Sequence, residues 1–146
     1  MFKKIMAPID GSEIAWRALE QAGALGEKFG ADLVVVTVVE PYTNNLIPLA
    51  TTWNSATLYQ VNSALESAAQ KIMEKAKKKL ASYPGKVLYI LEAGHPAERI
   101  LHLARAEECN AIVMGNRGLG GVADLLLGGV SSSIVQHAKI PVLIVR

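Results

Sequence analysis

The sequence predicts an open parallel α/β sheet with helices on both faces, and three observations carry that prediction. Apolar runs rich in β-branched residues alternate with segments of helical period in the order β-α-β-α-β-α-β-α-β, the pattern of a parallel sheet with crossover helices. The run Leu33–Val39 is apolar without alternation, as in a strand covered on both sides. A glycine-rich stretch, Gly115 to Ser131, joins the apolar run Ala111–Met114 to a helical start, where α/β proteins build anion sites.

Each element has its own local reason. The run Ile5-Met6-Ala7, within Lys3 to Ile9, reads as the first strand, closed by Pro8-Ile9-Asp10-Gly11-Ser12. From Glu13 to Phe29, apolar residues recur at Ile14, Ala18, Ala22, Leu25 and Phe29, a helix that Gly30 stops. After the second strand, Glu40 to Ser55 reads as a long irregular connection, a lid or a partner surface. A long helix follows, with Leu58, Val61, Leu65, Ile72, Met73 and Leu80 on one side. Lys75, Lys77, Lys78 and Lys79 near its end suit a solvated face that complements the helix dipole. Val87–Leu91 is a third strand, and Pro96 opens the next helix at its favoured first position. Ala111–Met114 is the fourth strand, a short helix runs from about Ser131 to His137, and Pro141–Val145 is the fifth strand.

Composition narrows the function classes. A chain of 146 residues suits a single domain. A net charge of +2 argues against a nucleic-acid or anionic-membrane partner. A lone cysteine, Cys109, excludes an internal disulfide and fits a reducing compartment. No apolar run reaches the ~20 residues of a membrane span, and Pro8, Asp10 and Gly11 interrupt the apolar start before it resembles a signal peptide. The expectation is a cytoplasmic protein.

Ligands of open α/β sheets bind beyond the carboxyl ends of the strands, where strand order reverses. Two segments lie at such ends: Pro8 to Ser12 after the first strand, and Gly115 to Gly118 after the fourth. If those strands are neighbours, the segments face each other across a crevice. Backbone N–H groups around Gly128, Gly129, Val130 and Ser131 would then meet phosphates at a helix N-terminus, and the Ser131 hydroxyl would add a donor. Arg117 either pairs with phosphate or faces water. Asp10 is open to two readings that can coexist: a turn or N-cap residue, or a holder of Mg²⁺, ribose or base. His95 fits the turn before Pro96, His102 and His137 fit helix surfaces, and three histidines without partner ligands make no metal site. No P-loop occurs. Gly118 to Ala123 matches a loose dinucleotide fingerprint, but it lies in the last crossover and lacks the acidic residue about 20 positions on.

These residues carry a resemblance to the nucleotide-binding universal stress proteins, spread over essentially the whole chain. The matching stretches are Lys3 to Ser12, Gly94-His95-Pro96-Ala97, and Gly115-Asn116-Arg117-Gly118 onward. The family pattern G-x2-G-x9-G, followed by Ser or Thr, is met by Gly115, Gly118 and Gly128. The resemblance implies a sheet order of 3-2-1-4-5, of the adenine nucleotide alpha hydrolase-like type, in one domain over residues 1–146. It implies an ATP or AMP site, a stress-response or signalling role, and a homodimer joined through Pro141 to Val145. An apolar strand at a sheet edge gives that pairing an independent motive.

The nucleotide-binding positions that the resemblance implies are Pro8, Ile9, Asp10 and Val38, with Val38 beside the adenine. Met114, Gly115, Asn116, Arg117 and Gly118 follow, and then Gly128, Gly129, Val130 and Ser131. One departure stands out. Gly129 occupies the place of the Ser or Thr whose hydroxyl meets a phosphate. A hydrogen bond to a charged group is worth about 1.5–3 kcal/mol, so its loss weakens triphosphate binding about tenfold or more unless Ser131 or a neighbouring serine compensates. Two other classes compete: an ATPase, expected to be very slow because no residue is placed as a base, and an interaction module that binds no nucleotide.

Overall fold

The structure, a computed structural model, describes residues 1–43, 54–116 and 127–146. Nine elements follow one another: β1 (Lys4–Pro8), α1 (Glu13–Phe29), β2 (Asp32–Val39), α2 (Ser55–Lys79), β3 (Val87–Ala93), α3 (Pro96–Ala106), β4 (Ala111–Gly115), α4 (Gly129–His137) and β5 (Val142–Val145). The strands form one sheet in the order β3-β2-β1-β4-β5. Every pairing is parallel, with Ile5 opposite both Leu33 and Ala111. The order reverses between β1 and β4. The crevice expected from the sequence therefore opens there.

Alternation along the strands divides the core into two layers. Ile5, Ala7, Leu33, Val35 and Val113 pack under α1 and α2. Met6, Val34, Val36, Ile112 and Met114 pack under α3 and α4. Both sets are buried, which explains why the strand sequences do not alternate in polarity. Small residues let the helices lie close: Ala15, Ala18 and Ala22 of α1 are buried against the sheet.

Gly115 is needed for packing at the end of β4. A Cβ there would approach Ile14 Cγ2 to 2.9 Å and Cγ1 to 3.1 Å, so glycine lets α1 close onto the strand.

Two sequence expectations are refined. The helix expected from about Ser131 begins at Gly129, because Gly128 is extended and acts as its N-cap. The lysines of α2 do more than face solvent. Lys75 and Lys79 lie 4.7 and 5.8 Å from the Trp16 ring, and Lys77 lies 5.7 Å from that of Tyr89, within reach of cation–π attraction. Of the Glu40–Ser55 connection, residues 44–53, Trp53 among them, lie outside the described residues. Among the described residues no helix is long and apolar enough to cross a membrane.

Candidate functional site

The first wall of the crevice is the turn that leaves β1. Ile9 N–H donates to Val36 O at 2.8 Å, which holds the exit of β1 against β2. Asp10 Oδ1 accepts from Ser12 N–H at 3.0 Å and from Ser12 Oγ at 2.6 Å. Gly11, between them, sits at φ +86°, a conformation open to glycine. Ser12 caps α1, its Oγ accepting from Ala15 N–H at 3.3 Å. Trp16 Nε1 donates to Gly11 O at 3.1 Å. Asp10 is thus a turn residue, and the N-cap that the sequence left open is Ser12. One Asp10 oxygen is engaged by these two bonds.

The second wall is built from the end of β4 and the start of α4. Asn116 N–H donates to Val145 O at 2.9 Å, tying the exit of β4 to β5. Asn116 O accepts from Gly128 N–H at 2.7 Å and from Ser131 Oγ at 2.6 Å. Ser131 Oγ also lies 3.1 Å from Gly128 O. One carbonyl therefore anchors the N-terminus of α4.

This anchoring corrects two expectations. The Gly128 N–H is not free for a phosphate, and the buried Ser131 hydroxyl donates inward rather than standing as a spare donor. The first intrahelical bond runs from Ser132 N–H to Gly128 O. Among the described residues, the N–H groups of Gly129, Val130 and Ser131 meet no acceptor, as the first turn of a helix requires.

Between the walls lies a cavity of about 380 Å³. Its lining includes Pro8, Ile9 and Asp10 from the exit of β1, Val38 from β2, and Met114 and Gly115 from β4. Gly128, Gly129, Val130 and Ser131 close it from α4. Sequence reasoning missed Ala15, Val36, Pro96 and Ile100, which complete it. Val36 shares a strand face with Val38, and Pro96 and Ile100 are one helical turn apart. Both relations are readable once Val38 and the start of α3 are placed at the cavity.

Asn116 is absent from the lining. Its side chain is buried and its Oδ1 meets no partner among the described residues, so its contribution is the anchoring carbonyl. Arg117 and Gly118 lie outside the described residues.

The lining is mostly aliphatic, and Asp10 is its one ionisable side chain among the described residues. A flat apolar group fits one end, and an anion fits the amides at the other. No cluster of three or more His, Cys, Asp or Glu suited to a metal occurs among the described residues. Asp10 has one oxygen engaged and one left for another partner, and Mg²⁺ is commonly held by one carboxylate together with substrate phosphates and waters.

Cys109 lies at the turn before β4, buried beneath α3. Burial pushes its thiol up to about 11, the reverse of what an activated nucleophile needs. Glu92, paired with Arg99 at 2.6 Å, is held below the usual carboxylate range chiefly by that hydrogen bond. Neither residue lines the cavity.

A family model described as the universal stress protein family matches residues 1–146. A universal stress protein of Thermus aquaticus is 37% identical over 152 residues, covering all of both chains. Among solved structures, UspA of Lactobacillus plantarum superposes with a TM-score of 0.84 at 22% identity, over 99% of this chain and 98% of its own. MJ0577 of Methanocaldococcus jannaschii superposes with a TM-score of 0.82 at 28% identity, over 99% and 96%. Two more distant chains of the same fold were solved as complexes. One is a universal stress protein with cAMP (TM-score 0.72, 22% identity, over 99% and 97%). The other is the Archaeoglobus fulgidus protein with dAMP (TM-score 0.66, 17% identity, over 100% and 98%).

Proposed function

The chain belongs to the universal stress protein family, and we propose that it is an adenine-nucleotide-binding member with a stress-response or signalling role. The observation that carries this reading is the cavity at the reversal of strand order. It has an aliphatic slot between β2 and α3 and three unengaged amides at the start of α4. The slot suits a purine ring, and the amides suit a phosphate. The complexes of same-fold proteins with cAMP and dAMP, both adenine nucleotides, support the choice of base.

Pro8, Ile9, Val36, Val38, Pro96 and Ile100 would enclose the base and sugar. Asp10 would accept from sugar hydroxyls through its second oxygen. The role proposed is to bind and report a nucleotide, with at most slow hydrolysis. The working form is a cytoplasmic homodimer joined at the β5 edge, where Leu143 is 46% exposed and an open strand invites pairing.

The test is purification without added ligand, identification of released nucleotide by mass spectrometry, and calorimetric titration. Copurified adenine nucleotide, or saturable heat with AMP or ATP, is the expected result. No copurified nucleotide and no heat up to millimolar ligand would sink the reading.

A further inference from the structure

A second cavity, of about 340 Å³, opens at the opposite end of the sheet, where the chain enters β4 and β5. It shares no lining residue with the first, and its size falls within the ~300–1,000 Å³ of ligand pockets. Leu101 and Ala104 of α3, Ile112 of β4 and Ile140 before β5 line it, with Cys109 beside them. Ala104, Cys109 and Ile112 belong to the core layer under α3 and α4, so the space ends on an apolar floor.

Polar groups join this lining from separate parts of the chain. Arg105 lies in the last turn of α3, Glu108 follows that helix, and His137 and Lys139 flank the end of α4. Arg105, Glu108 and Lys139 are exposed and enter no ion pair among the described residues. A cation in the last turn of α3 complements the helix dipole. The carboxylate after it does not. Glu108 sits at φ 53°, the one non-glycine residue with positive φ among the described residues. Cys109 N–H reaches back to Ala104 O at 2.9 Å, a helix closure in which glycine is the usual occupant of the Glu108 position. A glutamate there opposes both the backbone preference and the dipole. Local stability therefore does not select it, and recognition of a positive group gives it a use.

We propose that this cavity is a second ligand site, for a small aliphatic amino acid. The apolar side chain lies on the floor formed by Leu101, Ile112 and Ile140. The carboxylate pairs with Arg105 and Lys139, and the ammonium group pairs with Glu108. The site stands apart from the nucleotide cavity and does not rest on the nucleotide-binding reading.

The test is an amide NMR titration of the full chain at neutral pH with L-leucine, isocaproate and isoamylamine. Isocaproate lacks the ammonium group of leucine, and isoamylamine lacks its carboxylate. L-leucine should shift the amides of residues 101–112 and 137–140 saturably, with a dissociation constant of about one millimolar. Each analogue should bind about fivefold more weakly, the upper range for one exposed ion pair. Glu108→Gln should lower L-leucine to the level of isocaproate and leave isocaproate no weaker. Arg105→Gln should weaken L-leucine and isocaproate alike and leave isoamylamine no weaker. Both residues are exposed, so the variants should keep the wild-type melting temperature. Three results would each overturn the proposal: no saturable shift at these residues up to about twenty millimolar L-leucine, an analogue that binds as tightly as L-leucine, or variants that bind L-leucine as the wild type does.

Discussion

Gly129→Ser is the most direct test of the phosphate site. A Cβ at Gly129 meets nothing within 4 Å, and the residue is the first of α4, after the Gly128 cap. A side chain can enter without strain, and leaving glycine at a helical position adds about 0.5 kcal/mol of helix stability. The new hydroxyl would stand beside the free amides of Val130 and Ser131. A hydrogen bond to a charged phosphate is worth about 1.5–3 kcal/mol. Gly129 is exposed, so water competes and the lower end applies. A gain of about 1.4 kcal/mol is tenfold in the dissociation constant. The readout is the ratio of AMP to adenosine affinity by calorimetry, since adenosine carries no phosphate. Gly129→Ala supplies at least as much helix stabilisation without the hydroxyl. The serine variant should raise the ratio about tenfold and the alanine variant should not. Equal ratios in the two variants would refute the placement of the phosphate at α4.

Three further outcomes follow from the packing. Ser131→Ala removes the buried hydroxyl that donates to Asn116 O, and should cost about 1–1.5 kcal/mol in urea unfolding. It should also weaken AMP binding, because the amides of α4 lose part of their anchor. Gly115→Ala forces a Cβ to within 2.9 Å of Ile14, and should cost about 1–3 kcal/mol, as overpacking does, seen as a lowered melting temperature without ligand. Cys109 makes stability depend on alkaline pH. The unfolded thiol ionises near its ordinary 9.0 and the folded thiol near 11. Between those values the native state holds more protons, so stability falls as pH rises and is unaffected well below pH 9. The stability gap between wild type and Cys109→Ala should narrow by roughly 2–3 kcal/mol from pH 8 to pH 11.

Periodicity along the chain was enough to order the nine elements, because burial on both faces leaves runs such as Leu33–Val39 that only a covered strand tolerates. The spacing of Gly115 and Gly128 was legible for a related reason: a tight exit from a strand and an uncrowded helix start both exclude side chains, and that exclusion is written as glycine. Boundaries were less legible. Gly128 and Gly129 read as loop, yet one is the cap and the other the first residue of α4, because the cap is defined by backbone geometry rather than by side-chain chemistry.

The sequence by itself determined the α/β class, the two segments that meet at the site and the missing hydroxyl at position 129. Tertiary structure alone decided how the polar groups are used. Ser131 looked like a spare donor, but a carbonyl 15 residues away claims its proton. Asn116, a ligand contact by resemblance, has a second use that only the fold shows: its carbonyl anchors the helix. Pro96 and Ile100 became site residues because α3 packs over β2 beside Val38. Local pattern reports which faces are apolar. Which donor meets which acceptor depends on distances across the sheet, and these arise when the layers close.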